Sequence, residues 1–402
     1  MNGRSMNRRG FLRVSAAGLL AFSISPVKAQ VPEIRVGVSV PITGPLSSLG
    51  IPAANIMRLI QEDLRKKGGV RGLPVTLTIL DDGSDTTQAV RNARRFVSEG
   101  VVAILGTHGT PASLAMVPVA AEARVPLISF SAGQEIVDPV DEKRFWAFKT
   151  PPGDIHVAEA ILRDARARGV RTVAYIGFND AFGEGFARAL GRFAPVYGVS
   201  VVASERYNRT DTSVSGQILR ILRASPDAVL VGGAGTPSVL PHRTLVERGY
   251  RGLIYQTHGF SSTREVLRLG GEYIEGGLAA ATAVVVAEQL PGNFPSKRIA
   301  LDFITRYEAR YGIGTADAFG GYAWDAWLLF TSALERALRR VDLGNLNALR
   351  RAIRDELEAT KGLVGTTGVF NMSPTDHNGL SADDVVIVKV EKGNWKLIRT
   401  FR

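Results

Sequence analysis

The chain has 402 residues, no cysteine, 22% charged residues and a formal net charge of +11. The lack of cysteine excludes disulfide frameworks, thiolate zinc sites, iron–sulfur clusters, a cysteine nucleophile and a lipid-modified N-terminal cysteine. Residues 1–29 carry five basic residues and no acidic one, so +6 remains on the rest of the chain, which is too diffuse for a nucleic-acid-binding surface.

The first 29 residues have the pattern of an export signal. Arg8 and Arg9 precede an apolar stretch at 14–24, and Pro26 and small residues up to Ala29 follow it. The run SMNRRGFLR resembles the twin-arginine signal of exported bacterial proteins. It predicts transport to the periplasm with cleavage near Ala29. A membrane anchor is the alternative, but a spanning helix needs roughly 17–25 apolar residues, and no other segment approaches that length.

After this segment, strand and helix patterns alternate, which predicts an α/β fold with parallel sheets. The predicted strands of the first block are 33–41, 74–80, 101–105 and 126–130, and its predicted helices are 51–67, 86–99 and 112–123.

The alternation restarts after a Pro- and Gly-containing segment at 150–154. The predicted strands of this second block are 173–178, 200–207, 228–232, 252–256, 277–285, 385–390 and 395–400. Its predicted helices are 155–168, 183–194, 213–223, 237–248, 262–269, 299–311, 316–340 and 345–360. The architecture predicted from both blocks is two similar open α/β lobes, connected near residues 150, 280 and 366.

Motifs for catalysis, cofactors and metals are mostly missing. Gly183-Glu184-Gly185 follows a strand as in a dinucleotide-binding turn, but Arg188 occupies the third glycine position. The run 81–85 (DDGSD) is better interpreted as a solvated turn than as a calcium loop, because the alternating ligands and the late glutamate are absent. The five histidines have no paired metal-ligand spacing. We therefore predict no catalytic residue, no cofactor and no metal.

Polar residues collect where two predicted strands end. The segments 106–110 (GTHGT) and 129–133 (SFSAG) each follow a strand of the first block. In open α/β sheets ligands bind beyond the carboxyl ends of the strands, and helix N-termini favour anions. These segments predict a carboxylate site, with ordinary turn and cap chemistry as the alternative.

The chain resembles the periplasmic solute-binding proteins of the branched-chain amino acid class, which serve ATP-driven (ABC) importers. The resemblance spans about Ile34 to Leu397 and rests on motifs in the order of that family. These motifs are 41–46 (PITGPL) followed by Gly50, 67–72 (KGGVRG), Asp81-Asp82, 125–129 (VPLIS), 179–185 (NDAFGEG) and 322–326 (YAWDA).

This resemblance implies a fold and a function. The fold is the type I periplasmic binding protein: two Rossmann-like lobes joined by three strands. Lobe 1 would comprise 30–150 and 281–365, and lobe 2 would comprise 151–280 and 366–402. A ligand that touches both lobes favours the closed form. The implied function is a monomeric periplasmic receptor that passes a small ligand to a membrane permease without chemistry.

The resemblance also places a binding site, residue by residue. The position that binds the ligand carboxylate after the third strand is Thr110, and the contacts after the fourth strand fall on Ser131 and Gly133, with Ala132 between them. An aromatic wall from the second lobe maps to Phe182. Leu49 lies at the position of a contact from the first turn of the chain, and His108 could line the same crevice. Each of these residues could instead be structural, as a helix cap or as part of the core.

Two departures from the family pattern bear on the ligand. The acidic residue that pairs with the ammonium of an amino acid is replaced by His258, and a family aromatic is replaced by Ala234 or its neighbour Gly235. A neutral imidazole offers one acceptor and a protonated one repels a cation. We therefore expect a carboxylate ligand without a free α-ammonium, aromatic or branched aliphatic, with His258 as a hydrogen-bond donor.

Two other functional classes stay open at this point. The same two-lobed module could report a ligand to a signalling partner instead of a permease, and the sequence does not separate these outputs. An exported α/β enzyme is the other class, and it would need a nucleophile–base pair or a metal cluster.

Overall fold

The structure is a computed structural model that describes residues 33–341 and 343–402. The twin-arginine run and the expected cleavage position near Ala29 lie outside the described residues.

A five-stranded, all-parallel sheet is built from the first part of the chain, in the order β2-β1-β3-β4-β5. Its strands are β1 (Ile34–Val40), β2 (Val75–Asp81), β3 (Ala103–Gly106), β4 (Leu127–Ser129) and β5 (Ala147–Lys149). Its strands are mostly buried and apolar, as expected for a parallel sheet covered on both faces.

A seven-stranded sheet follows, in the order β14-β13-β10-β9-β8-β6-β7. Its strands are β6 (Thr172–Phe178), β7 (Ser200–Tyr207), β8 (Ala228–Gly232), β9 (Leu253–Gln256), β10 (Leu278–Ala281), β13 (Val386–Glu391) and β14 (Asn394–Arg399). The strands from β6 to β10 are parallel, and β13 and β14 form an antiparallel extension at one edge. A small separate hairpin pairs β11 (Leu363–Val364) with β12 (Val369–Phe370).

Helices cover the faces of both sheets. They are α1 (Ser47–Lys67), α2 (Thr86–Ser98), α3 (Thr110–Ala123), α4 (Asp154–Ala167), α5 (Ala181–Phe193), α6 (Ser215–Arg223), α7 (Val239–Glu247), α8 (His258–Ser261), α9 (Glu265–Gly270), α10 (Lys297–Tyr311), α11 (Ala318–Ala337) and α12 (Leu346–Glu358).

Several helices begin at a side-chain cap that the sequence supplies. Asp85, Asp180, Asp317 and Asn345 accept hydrogen bonds from backbone N–H groups in the first turns of α2, α5, α11 and α12. Such caps satisfy N–H groups that have no partner inside the helix. Helix α1 ends at Gly68, whose φ of 73° is the left-handed conformation that glycine adopts without a steric penalty.

Each sheet has a core on both faces. In the first sheet, β1 packs with α1 and α11, whereas α2 and α3 pack with Ile104 and Leu127. In the second sheet, α4, α5 and α6 form one cluster with β6 and β8. Phe260 and Trp395 belong to the other cluster, with β10 and β13. This arrangement is the two-sheet α/β fold expected from the alternating pattern.

The chain passes between the two sheets through the segments 150–153, 282–296 and 359–385. The buried Lys149 joins two of them, since its Nζ donates to Pro151 O at 2.6 Å and to Asn378 Oδ1 at 3.1 Å. The Asn378 amide in turn donates to Pro151 O at 3.0 Å. Asp325 on α11 fixes the last segment by accepting the N–H groups of residues 366 and 367 at 2.7 and 2.9 Å. The lobe boundaries given by residue number stay a prediction.

The element boundaries differ from the predicted ones in a few places. Helix α1 starts at Ser47, four residues before its predicted start, and contains Pro52. The strand expected over 277–285 ends at Ala281, and residues 283–289 form a 3₁₀ helix. An apolar run of this kind is compatible with either conformation. The three-residue strand β5 and the small hairpin were not predicted.

Among the described residues, no helix combines the length and the apolar character that a membrane span requires.

Candidate ligand-binding cavity

A cavity of about 30 Å³ lies at the carboxyl ends of strands from both sheets. This is the edge at which open α/β sheets bind ligands. The residues that line it are Leu49, His108, Gly109, Thr110, Phe130, Ser131, Ala132, Pro151, Phe182, Arg209, Ala234, His258, Gly259, Phe319 and Tyr322.

The structure brings together eight of the nine residues singled out in the sequence. These are Leu49, His108, Thr110, Ser131, Ala132, Phe182, Ala234 and His258. The ninth, Gly133, does not line the cavity but supports it from behind: a Cβ atom there would come within 2.3 Å of Thr110 Cγ2. That these residues bind a ligand stays a prediction. The contacts of each residue support it to a different extent.

Thr110 is the first residue of helix α3, and it directly follows the loop after β3. Its side chain is buried, and its Oγ1 has no hydrogen-bond partner. Buried hydroxyl groups are normally paired, so a hydroxyl without a partner in a cavity wall is free to donate to a bound group. The adjacent helix N-terminus adds a partial positive charge.

Ser131 is in a different situation, because its donors are already engaged. Its Oγ donates to Thr107 O at 2.8 Å, and its backbone N–H donates to Ser129 Oγ at 3.1 Å. The hydroxyl of Ser113 lies 2.9 Å from those of both Ser129 and Ser131. This hydroxyl cluster fixes the loop after β4, and in this arrangement Ser131 can accept a hydrogen bond from a ligand but not donate one.

The loop after β3 is held from below by Asp82. Its Oδ2 accepts from Thr107 Oγ1 at 2.5 Å and from Ser39 Oγ at 3.1 Å. Burial raises the pKa of Asp82 to about 6, and these hydrogen bonds oppose the increase. The solvated turn expected over 81–85 is therefore wrong for Asp82, which is fully buried. The neighbouring Asp81 accepts from the backbone of Ile42 at 2.8 Å and so also has a structural role.

The His108 ring is buried among aromatic rings. Its centroid lies 5.4 Å from that of Phe130 and 5.2 Å from that of Phe319, the latter in a T-shaped arrangement. Neither ring nitrogen has a hydrogen-bond partner. Burial lowers the pKa of His108 to about 3, so the imidazole is neutral at neutral pH and offers one donor and one acceptor.

His258 begins the short helix α8 after β9. Its ring lies 6.2 Å from Tyr322 and 6.3 Å from Phe186, and its Nδ1 is buried without a partner. Burial, and secondarily the charge of Lys149, lowers the pKa of His258 to about 3. A neutral imidazole with an unpaired nitrogen can donate one hydrogen bond, as the sequence analysis expects, and it carries no negative charge for an ammonium group.

Phe182 reaches the cavity because α5 starts very close to the end of β6. A Cβ atom on Gly183 would lie 1.9 Å from Phe178 O, so only glycine allows this approach. Asp180 accepts from the N–H groups of Phe182 and Gly183 at 2.9 and 3.3 Å and caps the helix. The glycine pattern at 183–185 thus serves helix–strand packing.

Helix α1 and the loop after β8 meet at one side of the cavity. A Cβ atom on Gly235 would lie 2.6 Å from Leu49 Cδ1 and 3.0 Å from Ser48 Oγ. Ala234 lines the cavity next to this contact. The cavity is consequently closed on this side by the start of α1 and the loop after β8.

Sequence reasoning missed four large side chains of the lining: Phe130, Phe319, Tyr322 and Arg209. Tyr322 was noted only as part of a family motif, although its OH lies 2.9 Å from Ser262 Oγ and its backbone O accepts from Thr150. Phe319 and Tyr322 lie at the start of α11, which does not follow a strand, so the strand-end argument could not identify them. Arg209 follows the carboxyl end of β7, and this position was the signal that could have identified it.

Among the described residues that line the cavity, there is no aspartate or glutamate. The charged group of the lining is Arg209, and the remainder is aromatic, aliphatic or neutral polar. The cavity thus combines one cationic side chain, whose Nε is paired with Asp180, with apolar and neutral polar walls.

Comparisons with known proteins concern the family and the fold of the chain. A sequence profile of the periplasmic binding protein family matches residues 33–394. Leu/Ile/Val-binding protein homologue 3 of Brucella melitensis is 26% identical over 385 residues, 94% of this chain and 100% of that protein.

Solved structures extend the comparison. An extracellular ligand-binding receptor from Rhodopseudomonas palustris HaA2 matches with a TM-score of 0.85 and 38% identity, covering 91% of this chain and 99% of that one. An ABC transporter substrate-binding protein from Desulfitobacterium hafniense, solved in complex with leucine, matches with a TM-score of 0.71, covering 91% of this chain and 100% of that one. At its 18% identity, this second likeness concerns the fold alone.

Proposed function

The chain belongs to the periplasmic binding protein family, whose members bind ligands without enzymatic chemistry, and on that premise we propose that it is the extracytoplasmic receptor of an ABC importer. It captures a small ligand that bears a carboxylate and lacks a free α-ammonium, and it delivers that ligand to a membrane permease.

The observation that carries the proposal is a set of buried polar atoms without partners around one cavity. They include Thr110 Oγ1, both ring nitrogens of His108 and His258 Nδ1. A buried polar group left unpaired costs about 1–3 kcal/mol, so a ligand that pairs with several such groups around one cavity gains affinity. A bound carboxylate would accept hydrogen bonds from several of these groups at once.

The charges around the cavity are the reason to propose a ligand without an ammonium group. By the sequence resemblance, His258 replaces the acidic residue of the family's amino acid receptors, and its lowered pKa keeps it neutral at neutral pH. An ammonium group brought into this cavity would lose its hydration without gaining a carboxylate partner, which is costly. The names of the relatives nevertheless make branched-chain amino acids the competing ligand class.

The proposed location rests on the N-terminal sequence and on the extracellular receptors that the chain resembles. We assign residues 1–29 to a twin-arginine export signal that is removed near Ala29, which would release the receptor into the periplasm.

A thermal-unfolding screen tests the proposed ligand class. The panel pairs carboxylates with matched amides and amino acids: benzoate with benzamide, 4-methylpentanoate with leucine, and 3-phenylpropanoate with phenylalanine. A ligand at about 100 times its Kd adds about 2.7 kcal/mol to the free energy of unfolding, which for a chain of this length raises the Tm by roughly 3 °C. We expect shifts with carboxylates and none with their amino acid or amide partners. A shift with leucine that exceeds the shift with 4-methylpentanoate would contradict the proposal.

A further inference from the structure

Arg209 presents an incompletely satisfied cation to the cavity. It follows β7, and its Nε donates to Asp180 Oδ2 at 2.6 Å. Its guanidinium carbon lies 4.0 Å from the ring centroid of Phe178 and 5.9 Å from that of Phe182. The side chain is therefore held at one nitrogen and along one face, which fixes the direction of the rest of the guanidinium group.

The other side of the guanidinium is left without a partner. Nη1 of Arg209 is buried and makes no hydrogen bond, although the residue lines the cavity. The buried Arg354, in contrast, donates through Nε to Phe145 O at 2.9 Å, through Nη1 to Asp355 at 2.9 Å and through Nη2 to Glu358. A buried cationic donor without an acceptor is unfavourable unless something else supplies that acceptor.

We propose that Arg209 is the counter-ion of the ligand carboxylate and that it selects planar aromatic monocarboxylates. This inference rests on the proposed function and names the specificity residue of that same site. Guanidinium groups bind carboxylates through parallel hydrogen bonds, which gives them a geometric preference that an ammonium lacks. Asp180 positions Arg209, because the same carboxylate caps α5 and holds Nε.

The aromatic preference follows from the walls of the cavity. Phe130, Phe182, Phe319 and Tyr322 line it together with the rings of His108 and His258. The rings contact one another at tilted or T-shaped angles, as in the Phe319–Tyr322 pair with centroids 6.0 Å apart. A flat ring inserted among them gains edge and face contacts of the same kind.

A second argument for Arg209 as the counter-ion concerns its position relative to Thr110 in the two sheets. Arg209 follows a strand of the seven-stranded sheet, whereas Thr110 follows a strand of the five-stranded sheet. A carboxylate that binds both residues contacts both halves of the molecule, so its binding energy favours the closed arrangement. Arg209 would thus make closure of the two halves depend on the negative charge of the ligand.

The test compares acids with their neutral amides in wild-type protein and in Arg209→Met. The probes are benzoate, phenylacetate and cinnamate, each with its primary amide, and the measured quantity is Kd by calorimetry. We expect the variant to bind the best acid at least about 30-fold more weakly while its affinity for the amide changes less than about threefold. Arg209→Lys, which keeps the charge but not the fork, should give an intermediate loss.

Arg206→Met is the matched control. Arg206 pairs with Glu184 and lies 5.2 Å over the Tyr175 ring, but it does not line the cavity. We expect it to leave the acid-to-amide ratio unchanged, and the Tm of each free variant reports on folding. An unchanged ratio in Arg209→Met would overturn the role of Arg209 and leave the proposed receptor intact. Wild-type protein that prefers aliphatic acids would overturn the aromatic class, and wild-type protein that binds no carboxylate would overturn the proposed function itself.

Discussion

Thr110 and Ser131 differ in what their hydroxyl groups can still do, although both line the same cavity. Ser131 donates to Thr107 O, whereas Thr110 Oγ1 is buried without a partner. A hydroxyl that is already satisfied supports the shape of a site, and an unsatisfied one is available to a ligand. The sequence alone placed both residues at the site but could not separate these roles, because the hydroxyl network depends on residues from β3, β4 and α3.

Replacing Thr110 by valine separates stability from binding. Thr110→Val keeps the branched shape against Gly133 and removes the unpaired oxygen. We expect the free energy of unfolding of the free protein to stay the same or to increase by up to about 1 kcal/mol, because no hydrogen bond is lost. The affinity for the carboxylate should fall about 10- to 100-fold, the value of a hydrogen bond to a charged group.

Urea unfolding and calorimetry with the best carboxylate of the screen check both parts of this prediction. Thr110→Ser is the control that keeps the hydroxyl and should retain most of the affinity. Wild-type affinity in Thr110→Val would show that the hydroxyl does not contact the ligand.

At the scale of the elements, Asp82 ties β1 and the loop after β3 together. It accepts from Ser39 and Thr107 in a fully buried position. Its pKa of about 6, raised by burial from 3.8, means that the folded state retains a proton that the unfolded state releases between about pH 4 and pH 6. The contribution of this group to stability is therefore greatest at low pH and is lost as the pH rises through that window.

The prediction concerns the pH dependence of Asp82→Asn. Because the amide does not titrate, the stability of the variant relative to wild type should increase by about 2 kcal/mol between pH 4 and pH 6.5. Urea unfolding at closely spaced pH values measures this difference. In the control Asp81→Asn, the stability of the variant relative to wild type should decrease rather than increase with pH, and the change should lie at lower pH. The reason is that hydrogen bonds from Thr43, Gly83 and Ile42 outweigh burial and keep the pKa of Asp81 below 3.8. Parallel pH curves for wild type and Asp82→Asn would contradict the buried-proton interpretation.

Most elements could be predicted because the periodicity of long helices and buried strands is a local property of the sequence. Strand β5 could not, since three residues are too few to show a period and its place depends on pairing with β4. The same limit applies to the site. The strand-end argument identified Thr110 and Ser131 and could have identified Arg209 after β7, whereas Phe319 comes from the start of a helix distant in sequence.

At the scale of the whole molecule, ligand entry requires the two halves to separate. The cavity is small, at about 30 Å³, and its lining comes from both halves of the molecule. The start of α1 and the loop after β8 meet at its side, where Leu49 contacts Gly235. Ligand entry must therefore part these segments, and the closed arrangement must reform around the ligand.

The absence of cysteine makes this motion directly testable. In the double variant Ser48→Cys and Gly235→Cys, a Cβ atom at residue 235 would lie 3.0 Å from the position of Ser48 Oγ, which is close enough for a disulfide once the Leu49 side chain moves aside and the new cysteine adopts the positive φ of 62°. We expect oxidation without ligand to abolish carboxylate binding, and oxidation with ligand present to trap it. Reduction should reverse both effects, so the reduced form of the same protein controls for backbone strain at Gly235. Binding at the wild-type rate by the oxidised protein would show that the ligand enters elsewhere. This result would refute closure at this contact.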